Sequence, residues 1–102
     1  MSRPITPRMR RRIKREFSME RATVRIGKGG VTQQLLDEID RQLEKNEIVK
    51  VKILRSALAE KRAKEVASEV AEKTEASLVE VRGHTFILYR RRKPKRNRFK
   101  KT

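Results

Sequence analysis

Residues 22–32 read Ala-Thr-Val-Arg-Ile-Gly-Lys-Gly-Gly-Val-Thr, and the order of residue types there decides the fold class. Ala22 to Ile26 alternate apolar and polar with period two, the pattern of a half-buried strand. Gly27-Lys28-Gly29-Gly30 ends that strand. Thr32 then caps a run in which Leu35, Leu36, Ile39 and Leu43 recur at helical spacing up to about Asn46. A strand passing through a glycine turn into a helix is the first half of a βαβ unit, and Ile48 to Leu54 supplies the second strand. In it Val49, Val51 and Ile53 share one face, with Lys50 and Lys52 on the other.

Further along the chain, a second long helix is predicted from about Ser56 to Lys73, carrying Ala59, Ala63, Val66, Ala67, Val70 and Ala71. Leu78–Arg82 and Thr85–Arg90 read as strands joined by Gly83-His84, a two-residue loop with glycine first that suits a type II′ hairpin. That register sets Val81 opposite Phe86 and Val79 opposite Leu88. Towards the N-terminus, Thr6-Pro7 is an N-cap followed by proline at the first helical position, and Met9, Ile13 and Phe17 form one narrow stripe over 6–19. The order α-β-α-β-α-β-β implies an α/β two-layer sandwich with a mixed four-stranded sheet. Both long helices cover the face built from Val24, Ile26, Val49, Val51, Ile53, Val79, Val81, Phe86 and Leu88. The opposite face carries polar and basic residues, interrupted by an apolar strip of Leu78, Ile87 and Tyr89.

The chain has 102 residues, room for one domain, and a formal net charge of +16. The charge is concentrated at the ends. Residues 1–15 hold seven basic side chains and residues 90–102 hold nine, neither with an acid, while 16–89 balance at 13 of each sign. The sequence therefore divides into a basic arm at 1–5, a domain at 6–93 and a basic tail at 94–102. Clustered cations displace counterions from phosphate backbones, which makes nucleic acid the expected partner. Duplex DNA is the alternative to RNA. The Leu78/Ile87/Tyr89 strip is then covered either by the Met9/Ile13/Phe17 stripe or by nucleic-acid bases. The Arg-rich first 20 residues also have the composition of an organelle transit peptide, although a matching arm at the other end points to binding.

Cysteine is absent and His84 is the only histidine, so no thiolate nucleophile, zinc finger or acid–base pair is specified. Asp37, Glu38, Asp40 and Glu44 fan round a solvated helix face with Arg41 and Lys45. No catalytic residue, metal, cofactor, small-molecule substrate or membrane segment is expected, and the protein is expected to be a cytoplasmic monomer. The Gly27–Gly30 turn is no P-loop, because the GxxxxGK[ST] spacing is missing. It does combine close backbone approach, a helix N-terminus and a lysine, three features that favour a phosphate.

Four blocks in order carry a resemblance: Val24-Arg25-Ile26-Gly27-Lys28-Gly29-Gly30-Val31-Thr32, Glu38-Ile39, Glu47 to Ile53, and Val81-Arg82-Gly83-His84-Thr85-Phe86-Ile87-Leu88-Tyr89-Arg90. Over residues 9–93 the sequence resembles the CRM domain family, which includes YhbY-like bacterial proteins associated with immature large ribosomal subunits and plant organelle splicing factors. The resemblance implies an RNA-binding domain similar in fold to the C-terminal domain of bacterial translation initiation factor 3, with sheet order 1-2-4-3. It also implies a GxxG loop that clamps RNA as KH domains do. The candidate RNA-binding residues are Gly27, Lys28, Gly29, Gly30 and Thr32 at the loop, Arg25, Lys50 and Lys52 on the sheet, Arg10, Arg11 and Lys14 on the first helix, and Arg90, Arg91 and Arg92 at the tail. A role with ribosomal RNA in ribosome biogenesis is expected.

Overall fold

In the computed structural model, residues 5–17, 19–27, 29–58 and 62–91 are described. Lys28, Ala59, Arg92 and the tail 94–102 lie outside them, as does most of the 1–5 arm. Helix α1 (Pro7–Phe17) leads into β1 (Val24–Ile26), α2 (Gln33–Asn46), β2 (Ile48–Ile53), a 3₁₀ turn (Arg55–Leu58), α3 (Ala63–Lys73), β3 (Ser77–Arg82) and β4 (Thr85–Tyr89). The sheet order is β1-β2-β4-β3, with β1 and β2 parallel and the other pairs antiparallel. This is the expected α/β sandwich in the expected strand order.

Local chemistry explains most boundaries. Thr6 Oγ1 accepts from the Met9 N–H at 3.1 Å, and Thr32 Oγ1 accepts from the Leu35 N–H at 3.1 Å, so each hydroxyl satisfies a donor left over at a helix start. At the far end of α2, Glu47 adopts φ 69 and returns its N–H to Leu43 O at 2.9 Å, the left-handed cap that reverses the chain into β2. The predicted helix over 56–73 is two pieces, the 3₁₀ turn and α3. Helix α3 begins where the Glu65 carboxylate accepts from the Arg62 backbone N–H at 2.9 Å. The hairpin has positive φ at Gly83, 59°, and not at His84, as a type II′ turn requires.

The main core lies between the sheet and helices α2 and α3. Ile26, Ile39, Leu43, Val51, Ile53, Val70, Phe86 and Leu88 are all sealed from water there. Each such side chain contributes about 1.5–3 kcal/mol by leaving water. A second, smaller cluster joins α1 to the outer sheet face: Ile13, Val79 and Ile87 are buried, with Ile5, Phe17, Ile48 and Tyr89 packed around them. Thus the first helix covers the outer strip. Met9 is half-buried and is not one of the residues packed in that cluster.

The composition of the strip corrects one expectation. Strict alternation in β3 put Val79 in the main core and Leu78 outside, whereas the structure exchanges them. Leu78 pairs with Leu88 and Glu80 with Ile87, a β-bulge that leaves Val79 as the extra residue. Leu78 consequently packs on the main core, while Val79 turns outward beneath Ile13. Arg10 fastens the bulge by donating from Nη1 to Leu78 O at 3.1 Å and Val79 O at 2.7 Å. A bulge disrupts the ladder locally and re-aims side chains, and here the guanidinium satisfies both carbonyls.

Candidate nucleic-acid interface

Strands β1 and β2 finish at the same end of the sheet, where Leu54 N donates to Ile26 O at 2.8 Å. The β3–β4 hairpin reaches that end too, with Ile53 N donating to His84 O at 2.6 Å. The glycine loop and the start of α2 therefore stand at the same end of the sheet as the Gly83-His84 turn, with the end of β2 between them. Gly30 N closes the loop onto Gly27 O at 2.9 Å, and Gly30 has φ 70, a conformation that favours glycine. Gly29 has no such constraint, since a Cβ there would meet Thr32 Cγ2 at an ordinary 3.7 Å. Gln33 to Leu36, the first turn of α2, contain no acid, so nothing local neutralises the positive end of its dipole.

The outer face continues this end as a row. Arg25 is the register partner of Lys52, Lys52 of Thr85, and Thr85 of Arg82. At 4.7–4.9 Å per strand the row spans about 14 Å. Arg25, Lys52 and Arg82 are exposed. Like charges directly opposite one another weaken a strand pair, so the Arg25/Lys52 pair costs the folded protein stability that an anion lying between them would restore.

Other candidate cations have work inside the fold. Lys50 Nζ donates to Phe17 O at 2.9 Å and Glu20 O at 2.7 Å, tying the end of α1 to β2. Arg10 is held by the bulge. Arg90, the first cation of the basic run at 90–102 and the end of the predicted Thr85–Arg90 strand, is buried with only 10% of its side chain exposed. Its Nη1 donates to Asp40 Oδ1 at 2.6 Å and Thr74 O at 2.7 Å, and its Nη2 to Glu44 Oε2 at 3.1 Å. All three act as structural clasps, and of them only Arg90 is buried. Lys14 is half-buried with Nζ 3.5 Å from Glu80 Oε1. Arg11 is exposed on α1, and Arg91 is exposed at the opposite end of the sheet from the glycine loop.

Arg82 was not among the residues singled out from the sequence, yet the hairpin register held the signal. With Val81 opposite Phe86, Arg82 must stand opposite Thr85 and join the Lys52 row. On the same outer face lies a recess of about 220 Å³ lined by Lys50, Glu80, Arg82, Thr85 and Ile87. Among the described residues, no group of three or more His, Asp or Glu side chains is placed to hold a metal ion.

Known proteins share this fold and part of this sequence. The solution structure of a hypothetical protein of Staphylococcus aureus, described as an RNA-binding candidate, superposes with a TM-score of 0.72 at 30% identity, covering 92% of this chain and 96% of that one. A probable RNA-binding protein of Methanocaldococcus jannaschii is 32% identical over 90 residues, 88% of this chain and 66% of its own length. YqeI of Bacillus subtilis, also a probable RNA-binding protein, is 32% identical over 68 residues, 67% of this chain and 69% of its own. The chain thus spans about two thirds of the length of these curated relatives. The family model of the CRS1/YhbY (CRM) domain matches residues 5–90, from the residue before the α1 cap to the Arg90 clasp. A match that takes in every helix and strand of the fold makes this chain a member of the CRS1/YhbY (CRM) domain family.

Proposed function

We propose that this protein is a non-catalytic RNA-binding protein that grips structured ribosomal RNA during large-subunit assembly in the cytoplasm. The glycine loop and the start of α2 hold a backbone segment, and Arg25, Lys52 and Arg82 neutralise the phosphates beside it. The observation that carries this reading is the exposed cation row at the loop end of the sheet, whose internal repulsion an RNA backbone would relieve. Membership of a family whose relatives are named for RNA binding supports RNA over duplex DNA. The relation to immature large subunits follows from the family resemblance.

The test is a binding competition between fragments of large-subunit ribosomal RNA, bulk RNA of equal length and duplex DNA at matched salt. With about six phosphates engaged, log K falls against log salt with a slope of about −4 to −5. The double change Lys28→Asp and Gly29→Asp sets two carboxylates at the phosphate position without forcing Gly29 into a forbidden conformation. Preference for the ribosomal fragment should drop by about tenfold or more, about 1.4 kcal/mol, leaving weak, salt-sensitive binding through the other cations. A folded double variant that binds as tightly and selectively as the parent would reduce the glycine loop to a turn. Tighter binding to duplex DNA than to RNA would transfer the protein to the chromatin class.

A further inference from the structure

Glu80 is out of place on a surface suited to phosphate. Its side chain is only 15% exposed, yet its recorded partners stand at long range, Lys14 Nζ at 3.5 Å and Arg82 Nε at 3.9 Å. Carboxylates that deep in a protein normally accept short hydrogen bonds. Neither ion pair closes the carboxylate off, because Lys14 approaches Oε1 from α1 while Oε2 is the oxygen nearer Arg82. The β3 bulge is what brings it here: Val79 and Glu80 are inserted against Ile87, and Glu80 lines the recess on the outer face.

Glu80 disfavours a phosphate in that recess and favours a hydrogen-bond donor. A carboxylate repels phosphate and is acceptor-only, whereas the phosphates of a bound strand already have Arg25, Lys52 and Arg82. The volume of about 220 Å³ falls below the roughly 300–1,000 Å³ of a pocket for a drug-sized ligand and suits one planar heterocycle. Unpaired bases in RNA are commonly splayed into such recesses and read along their Watson–Crick edge. Guanine alone presents two adjacent donors there, N1–H and the N2 amine, to match two carboxylate oxygens. It also carries the O6 and N7 acceptors that arginine pairs with, and Arg82 borders the same recess.

We propose that the recess formed by Lys50, Glu80, Arg82, Thr85 and Ile87 receives one unpaired base of the bound RNA, and that the Glu80 carboxylate makes guanine the base it prefers. This rests on the RNA-binding reading above and adds to it a specificity-determining residue. The cation row fixes the strand and Glu80 reads one position along it.

The experiment is an NMR titration of the full-length ¹⁵N-labelled protein with five-nucleotide RNAs of uridine carrying guanine, adenine, cytosine or inosine at the centre. The guanine oligomer should bind about tenfold tighter than the adenine, cytosine and all-uridine oligomers, shifting the amides of Glu80, Arg82, Thr85 and Ile87. Inosine, which lacks the N2 amine, should lose most of that advantage, and this arm needs no protein variant. Glu80→Gln should weaken the guanine oligomer while tightening the uridine oligomer, because a negative charge beside the row has gone; a purely structural glutamate would weaken both. Equal affinity for all bases, or unchanged guanine preference in Glu80→Gln, overturns the inference and leaves RNA binding intact. So does failure of every pentanucleotide while ribosomal RNA fragments still bind. Absence of binding to any RNA overturns both.

Discussion

Arg90 shows how one cation can serve the fold inside a chain otherwise loaded with cations for an external partner. Its guanidinium gathers the C-terminal half of α2, through Asp40 and Glu44, and the carbonyl of Thr74 after α3 onto the residue that follows β4. Its backbone N–H also donates to Glu47 O at 2.9 Å. Replacing it with methionine keeps the aliphatic stem and removes every charged bond. The two carboxylates keep contact with water, so the loss should be about 2–4 kcal/mol, below the penalty of a fully buried broken pair. Urea denaturation measures it, and RNA affinity of the folded variant should change less than twofold, separating Arg90 from the interface. Strand alternation places Arg90, unlike Arg91, on the face of Phe86 and Leu88, but its partners were not legible, because the acids that hold it lie 46 and 50 positions earlier. The structural bonds of Lys50 and Arg10 were not legible either, because their acceptors are backbone carbonyls, which every residue possesses. Arg25 and Lys52 were legible because strand alternation alone sends them to the open face.

Among the elements, α1 is where sequence pattern and packing agree most closely and where the agreement has a limit. The four-residue spacing of Met9, Ile13 and Phe17 identified a helix with one dockable stripe, and Ile13 is indeed buried against Val79 and Ile87. The seat it docks on was only partly legible, since Leu78-Val79-Glu80-Val81 places three apolar residues in four and fits either phase of a strand. Cross-strand contacts, not local pattern, choose where the bulge falls. Phe17→Ala should cost about 1–3 kcal/mol, since the ring is packed but not fully enclosed, read as a lower midpoint of thermal unfolding. An unchanged midpoint would mean that α1 is held by Arg10 and Lys50 alone. The break between the 3₁₀ turn and α3 was likewise hidden, because Ala-rich residues at helical spacing continue across it.

At the scale of the whole molecule, the body at 6–93 is expected to fold without the basic ends. Deleting residues 1–5 and 94–102 removes cations and, among the described residues, takes only Ile5 from the two apolar clusters. The truncated protein should keep one cooperative thermal transition and bind RNA more weakly with a shallower salt slope, which calorimetry and a salt titration would record; loss of the transition would make the ends structural. The body also has borders. The sheet ends on one side in β1, three residues long, and on the other in β3, and a free outer strand is ordinarily a template onto which a stranger's chain can add. The bulge kinks β3 in its first half, and Arg10 occupies two of its carbonyls. A sheet bordered in this way offers an unfolded polypeptide little length of strand to extend, so the protein can stay unaggregated while its other surface takes up a partner.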